Sequence, residues 1–359
     1  MNLNFLLNRG IERILKTAGR YYIKDREGRA FLARLLPRMT QSAAIRSRYE
    51  KNGIHIPSFL IASVASQCNL HCTGCYSRAG GFCDSTAARS DLAAADWEGI
   101  FKEAAELGIS FILLAGGEPF MRYDIIKAAA RSRDIVFPVF TNGTLLDEER
   151  LDLLDGSRNI IPVFSLEGEE GETDIRRGKG VYSQIRRAMN RLQQKGILFG
   201  VSITVTKENL DTVTKPSFLS DLRSLGCGLA VFVEYVPISE GTEYLALDRK
   251  DLETLACAAS QLREQINDMI ILSFPGDEEA MGGCLASGRG FFHINAAGGA
   301  EPCPFSPFAK QNLKDSSILE VLESDYFAGL RNIAVHAGAH TGGCTLFKQK
   351  DQVAALNMR

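Results

Sequence analysis

Apolar residues first change their rhythm along this chain near residue 57. Before it they recur at helical spacing, as in Phe5, Leu6, Ile11, Ile14 and Leu15, and again in Phe31, Leu32, Leu35 and Leu36. The first 56 residues are therefore expected to be helical. Beyond them come six short apolar runs: FLIASVA at 59–65, FILLA at 111–115, IVFPVFT at 135–141, IIPVFS at 160–165, ILFGVSITV at 197–205 and LAVFVEYV at 229–236. Amphipathic stretches alternate with them, at 94–107, 122–133, 147–155, 181–195, 214–225 and 249–267. This alternation predicts an α/β fold with a parallel sheet wrapped by helices, a partial (β/α)6 barrel. Past residue 270 the alternation is lost. Residues 282–305 are rich in glycine and read as a hairpin, GFFHIN and AEPCPF joined through AAGG. A helix, SILEVLESDYFAGLRNI, and a tail holding Gly342, Gly343 and Cys344 follow. The expected organisation is a helical extension over 1–56, a barrel over 57–270 and a small C-terminal unit over 271–359.

Charge separates the first of these parts from the rest. Residues 1–52 hold twelve Lys/Arg against four Asp/Glu, so a segment of +8 precedes a remainder of −10. Basic amphipathic helices offer a face to anionic lipid or an acidic partner, and equally serve as a solvated face packed on the barrel. Nothing in the charge balance calls for nucleic acid. No apolar run approaches twenty residues and the N-terminus lacks the pattern of a signal peptide, so the expected compartment is cytoplasmic. There, nine cysteines point to metal or redox chemistry rather than to disulfides.

Three of those cysteines follow the first strand directly, in CNLHCTGCY at 68–76. The C-terminal ends of barrel strands carry active sites. Cys68, Cys72 and Cys75 can wrap a cubane [4Fe–4S] cluster whose usual complement is four thiolates, leaving one iron open to a ligand. The loop also admits zinc, with His71 or Cys83 as a fourth ligand. With the aromatic Tyr76 the segment resembles the signature of the radical S-adenosylmethionine (radical SAM) superfamily. That resemblance implies that the open iron chelates SAM. An electron, from a donor such as flavodoxin or ferredoxin, then cleaves SAM to a 5′-deoxyadenosyl radical that abstracts hydrogen from a substrate.

Later strand ends carry further matches. Gly116-Gly117-Glu118-Pro119 ends the second run and resembles the family's GGEP motif, which implies that its backbone and Glu118 receive the SAM amino group. Asn142, in Thr141-Asn142-Gly143, resembles the family's TNG turn. Ser165, in VFSLEG, resembles a segment contacting the SAM ribose and carboxylate, with Glu167 standing where the family has Asp. Arg177, before Gly178, is implied to pair with the SAM carboxylate.

Cys284, Gly298 and Cys303 form C-x13-G-x4-C, and Cys344 follows after the helix. This resembles the twitch domain, a shortened SPASM domain, and implies an auxiliary [4Fe–4S] cluster that accepts an electron or binds substrate. The resemblance spans residues 57–350. Enzymes of this arrangement oxidise alcohols or side chains, crosslink or epimerise ribosomal peptides, or rearrange nucleotides, so the substrate is a small molecule or a peptide. No winged-helix module for leader capture precedes the barrel, which weighs against peptides. The ending Leu-Asn-Met-Arg lacks the Gly-Gly tail of the molybdenum-cofactor enzyme. In another class, an iron–sulfur carrier or scaffold would share the cysteines but has no use for the GGEP and TNG segments. Cys227 and Cys257 read as small buried hydrophobes, Cys83 as a loop thiol, and His71, His293, His336 and His340 as structural.

Overall fold

The computed structural model describes residues 17, 19–23, 26–83, 91–336 and 344–357. The stripe from Phe5 to Leu15, His340 and Gly342-Gly343 lie outside the described residues. Seven strands run parallel as successive neighbours: β1 (Phe59–Ala65), β2 (Phe111–Gly116), β3 (Phe137–Thr141), β4 (Ile160–Leu166), β5 (Phe199–Val205), β6 (Cys227–Glu234) and β7 (Ile270–Phe274). The first six are the apolar runs of the sequence. β7 was not foreseen: it is five residues long, lies at the edge of the sheet, and exposes Leu272. Its sequence, IILSF, is itself a short apolar run, but it falls at residue 270, where the alternation of runs and amphipathic stretches ends.

The Gly-rich segment forms the expected hairpin, β8 (His293–Ile294) against β9 (Gly299–Glu301), with β10 (Gln311–Asn312) beyond it. Its placement is the unexpected feature. β8 pairs parallel with β1, so the hairpin extends the barrel's own sheet, in the order β10-β9-β8-β1 through β7. A buried polar chain anchors it there. His293 Nε2 meets Ser63 Oγ of β1 at 2.8 Å and its Nδ1 meets Glu301 Oε2 at 2.7 Å, while Asn295 Nδ2 donates to Glu301 Oε1 at 2.6 Å. The Phe291 ring lies 5.2 Å from that of Phe59 on β1 and 6.0 Å from that of Phe274 on β7. One side chain thus spans the two ends of the seven-stranded arc. The predicted helix after the hairpin is two, Ile318–Glu323 and Asp325–His336, parted at Ser324, whose Oγ accepts from the Phe327 N–H.

Alternate residues of each strand point to opposite faces. Leu60, Ala62 and Val64 of β1 join Ile112, Leu114, Phe137 and Val139 in the main core, with Trp97 and Phe101 of helix Ala94–Glu106 packed on them. A second core lies beneath. Helix Arg26–Lys51 brings Phe31, Leu35 and Met39 against Phe111, Val136, Ile161 and Leu198, residues at or beside the starts of four strands. The helix therefore stoppers the N-terminal mouth of the barrel, opposite the ends where CNLHCTGCY and GGEP emerge. Its Arg46 is buried and donates to Ser110 Oγ at 3.1 Å and to the Gly108 carbonyl. Among the described residues, no helix is long and apolar enough to cross a membrane.

Leu35 is 3% exposed and Leu36 is 50% exposed. Leu35→Ala is expected to destabilise the fold by about 2–5 kcal/mol, and Leu36→Ala by less than about 0.5 kcal/mol. Chemical denaturation of the two variants checks this, and equal losses would deny that the helix closes the barrel.

Candidate active site

The loop after β1 is held first by β2. The Gly117 N–H donates to the Ala65 carbonyl at 2.7 Å and the Glu118 N–H to that of Gln67 at 2.8 Å. A Cβ on Gly117 would stand 2.0 Å from the Gln67 carbonyl oxygen and 3.1 Å from the Cys68 nitrogen. What demands glycine here is the cysteine loop itself, whose backbone fills the space a side chain would take. Gly74, at φ +64°, meets a second neighbour: a Cβ there would stand 2.4 Å from the Tyr235 hydroxyl. That hydroxyl, just past the end of β6, is buried, and the described residues give it no hydrogen-bond partner. The sequence did not single out Tyr235, because only the fold brings it to the loop.

Glu118 ties the loop to β3. It is 1% exposed, and its carboxylate accepts from the Phe120 N–H at 3.0 Å, Thr141 Oγ1 at 2.8 Å and the Asn142 N–H at 2.8 Å. Burial raises its pKa while these donors lower it. Asn142 Nδ2 in turn donates to Asn69 Oδ1 at 2.8 Å and approaches Cys68 Sγ at 3.9 Å. Ser165 is half-buried on β4, opposite Ser202 of β5.

A third grip comes from the end of β4. Glu167, 1% exposed, accepts from Arg176 Nη1 at 2.6 Å and Arg177 Nε at 2.8 Å, and forms a second contact with Arg177 through Nη2. Arg176 also donates to the Thr73 carbonyl at 3.1 Å, and Arg177 Nη1 reaches Cys72 Sγ at 3.9 Å. The sequence assigned Arg177 to a ligand carboxylate. Here its guanidinium is shared between a carboxylate of the chain and a thiol of the loop.

The three thiols of the loop are half-buried, and the Leu70 N–H donates to Cys68 Sγ at 3.4 Å. Burial pushes Cys68 up to about 11 and raises Cys72, with Arg177 opposing the second shift. The second group is deeper. Cys284, Cys303 and Cys344 line one cavity, with Cys303 Sγ and Cys344 Sγ 3.9 Å apart. Burial drives Cys284 and Cys303 well up, while the hydrogen bond with Cys303 holds Cys344 down. The two groups meet through one aromatic pair: Tyr76, next to Cys75, lies 5.3 Å edge-on from Phe305, which lines that cavity. Of the other thiols, Cys83 is buried, near enough to Cys68 and Tyr76 to raise both. Cys227 is buried as read, but Cys257 is exposed on helix Arg249–Gln265, against expectation. His71 is exposed and His293 serves the hairpin anchor. Among the described residues, no three His, Cys, Asp or Glu side chains gather tightly enough for a single metal ion.

Residues 63–215, from β1 to just past β5, match the model of the radical SAM superfamily. The chain carries a radical SAM domain. As a radical SAM enzyme it takes a [4Fe–4S] cluster and SAM as cofactors. It is 25% identical over 304 residues to the AdoMet-dependent heme synthase of Methanosarcina barkeri, covering 77% of this chain and 85% of that one. It is also 25% identical over 288 residues to the PqqA peptide cyclase of Gluconobacter oxydans, covering 74% and 76%. The crystal structure of Streptococcus suis SuiB bound to the precursor peptide SuiA shares its fold, with a TM-score of 0.63 at 21% identity over 81% of this chain and 71% of that one.

Because the radical SAM domain's cysteine loop occupies the space above Gly117, Gly117→Ala is expected to displace it. Iron uptake on anaerobic reconstitution should fall together with the melting temperature. Gly171, in helix Glu170–Arg177, has nothing within 4 Å of its would-be Cβ. Gly171→Ala should leave iron uptake intact and hold or raise stability, by about 0.5–1 kcal/mol at most. Normal iron uptake by Gly117→Ala would show that the loop is not seated by this contact.

Proposed function

We propose that Cys68, Cys72 and Cys75 hold the cluster that reduces SAM, that Cys284, Cys303 and Cys344 hold an auxiliary cluster, and that the enzyme modifies a peptide. The observation that carries the first assignment is the donor set around the loop. An N–H, an amide and a guanidinium point at two of its sulfurs, as suits thiolates bound to iron. The loop itself supplies three thiols, and a cluster held by these alone keeps one corner for SAM. When bound, cluster and SAM supply a hydrogen-abstracting radical, and the chain's part is to seat them and keep water out.

Gly116, Gly117 and Glu118 hold the loop, with Tyr76, Asn142, Ser165 and Arg177 around the SAM pocket. Glu118 acts by fixing the Thr141-Asn142 turn, and Glu167 by aiming Arg177 at Cys72. The barrel unit starts at residue 57 and runs past the expected boundary at 270 to the end of β7 at Phe274, the auxiliary unit follows to residue 359, and in the extension 1–56 helix Arg26–Lys51 closes the barrel's lower end. A flavodoxin- or ferredoxin-type donor supplies the electron in the cytoplasm. The exposed basic side of the extension is the place for an acidic partner or anionic lipid.

A peptide substrate is supported by the similarity to a peptide cyclase over three quarters of the chain. The equal similarity to a heme synthase favours a tetrapyrrole as the second reading. The two are separated by substrate-stimulated SAM cleavage, since the true substrate raises 5′-deoxyadenosine yield and the other class leaves it at the uncoupled rate.

Anaerobically reconstituted protein is expected to bind about eight irons, two [4Fe–4S] clusters. With a strong reductant it should form 5′-deoxyadenosine, and Cys72→Ala should abolish this. Stoichiometric zinc without iron would refute the assignment.

Replacing both Cys284 and Cys303 with Ala should leave a folded protein that still cleaves SAM but forms no product. A stable variant that no longer cleaves SAM would show the two groups exchanged in role. A variant that loses its melting transition would reduce the second cluster to a structural staple.

A further inference from the structure

The cavity that gathers Cys284, Cys303 and Cys344 also contains two acidic side chains, Glu234 and Glu278. The rest of its wall is largely apolar: Val236, Phe274, Pro275, Phe291 and Phe305. Glu278 is 6% exposed. Carboxylates are costly in such surroundings unless a cation or donors meet them. Three thiolates alone would leave one iron of a cubane cluster without a protein ligand.

We infer that Glu278 supplies that ligand, so that the auxiliary cluster is closed by the protein and leaves no iron open to substrate. This rests on the assignment of Cys284, Cys303 and Cys344 to a cluster. Glu278 sits in the 3-10 turn Gly276–Met281, which leads directly into Cys284. Its N–H donates to the Pro275 carbonyl at 2.8 Å, and its own carbonyl accepts from the Gly283 N–H at 2.9 Å. Its carboxylate Oε1 accepts from the Leu285 N–H, the residue after Cys284, at 2.9 Å. Carboxylate and thiol are thereby fixed to one turn and face one cavity. Glu234 belongs instead to β6, as its last residue, and is not carried by the turn that leads into Cys284. Carboxylate oxygen is an ordinary iron ligand, as in di-iron carboxylate proteins. Were the cluster closed in this way, substrate would have to be held by the barrel and not by the auxiliary iron.

The test uses the full chain carrying Cys72→Ala, so that only the auxiliary cluster is loaded, and reads iron content, melting temperature and the electron paramagnetic resonance of the reduced cluster with and without cyanide. The parent is expected to hold about four irons and to give a spectrum that cyanide does not change. On that background, Glu278→Ala should melt as the parent does and either gain a cyanide-shifted spectrum or lose iron, and Glu278→Cys should restore iron and cyanide resistance. A parent spectrum that shifts with cyanide overturns the inference, as does a Glu278→Ala spectrum as resistant as the parent's, or an opening produced by Glu234→Gln instead. A Glu278→Ala variant that loses iron without recovery in Glu278→Cys also overturns it. A parent that holds no iron fails differently, because it removes the auxiliary cluster itself.

Discussion

The contact on which the site depends is the backbone of one strand exit lying against that of the next, at Ala65-Gln67 and Gly117-Glu118. Two hydrogen bonds close it, and the absence of a side chain at Gly117 permits it. Everything further is built outward from that seat. Glu118, immobilised by it, presents a buried carboxylate that needs donors, and it finds two of them in the turn after β3. That turn then places Asn142 beside Asn69 and Cys68. Glu167 repeats the device from β4, using a buried carboxylate to aim two arginines at Thr73 and Cys72. Leaving either carboxylate unpaired inside the protein would cost several kcal/mol, so each is held with its donors.

Much of this was readable in the chain because parallel strands buried on both faces appear as apolar runs. The residues that follow those runs are the residues that reach the site. Motif spacing singled out the loop, the Gly-Gly-Glu turn, Asn142 and Arg177, and the fold brings these side by side. Spacing could not find what holds them. Tyr235 meets Gly74 only through the curvature of the sheet, and Glu167 meets Arg176 only because helix Glu170–Arg177 brings its last turn back to the end of β4. Cys257 misled for the opposite reason: an apolar neighbourhood along the sequence became the solvent side of a helix. The hairpin was legible from its glycines, but its docking on β1 depends on Ser63, an unremarkable residue until His293 arrives beside it.

The two groups of thiols also differ in setting. The loop group is half-buried and surrounded by polar donors, whereas the second group lies in a mostly apolar cavity with carboxylates in its wall. They are neighbours all the same, since the ring of Tyr76 on one side touches that of Phe305 on the other. The contact between them is aromatic, and the second group's cavity is lined by residues at the ends of β6 and β7, the same end of the sheet from which the loop emerges.

The arc of strands is completed at its seam by Phe291 and not by a backbone ladder. Between β7 and β8, among the described residues, no strand pairing is formed, and rings 5–6 Å apart bridge the gap. A ladder opens only by breaking hydrogen bonds, whereas stacked rings slide at little cost until they part. The seam is therefore the compliant line of the barrel. Any widening of the barrel would be taken up there, alongside the second group of cysteines, while the tightly pinned loop of the first group on the β1–β4 side would keep its shape.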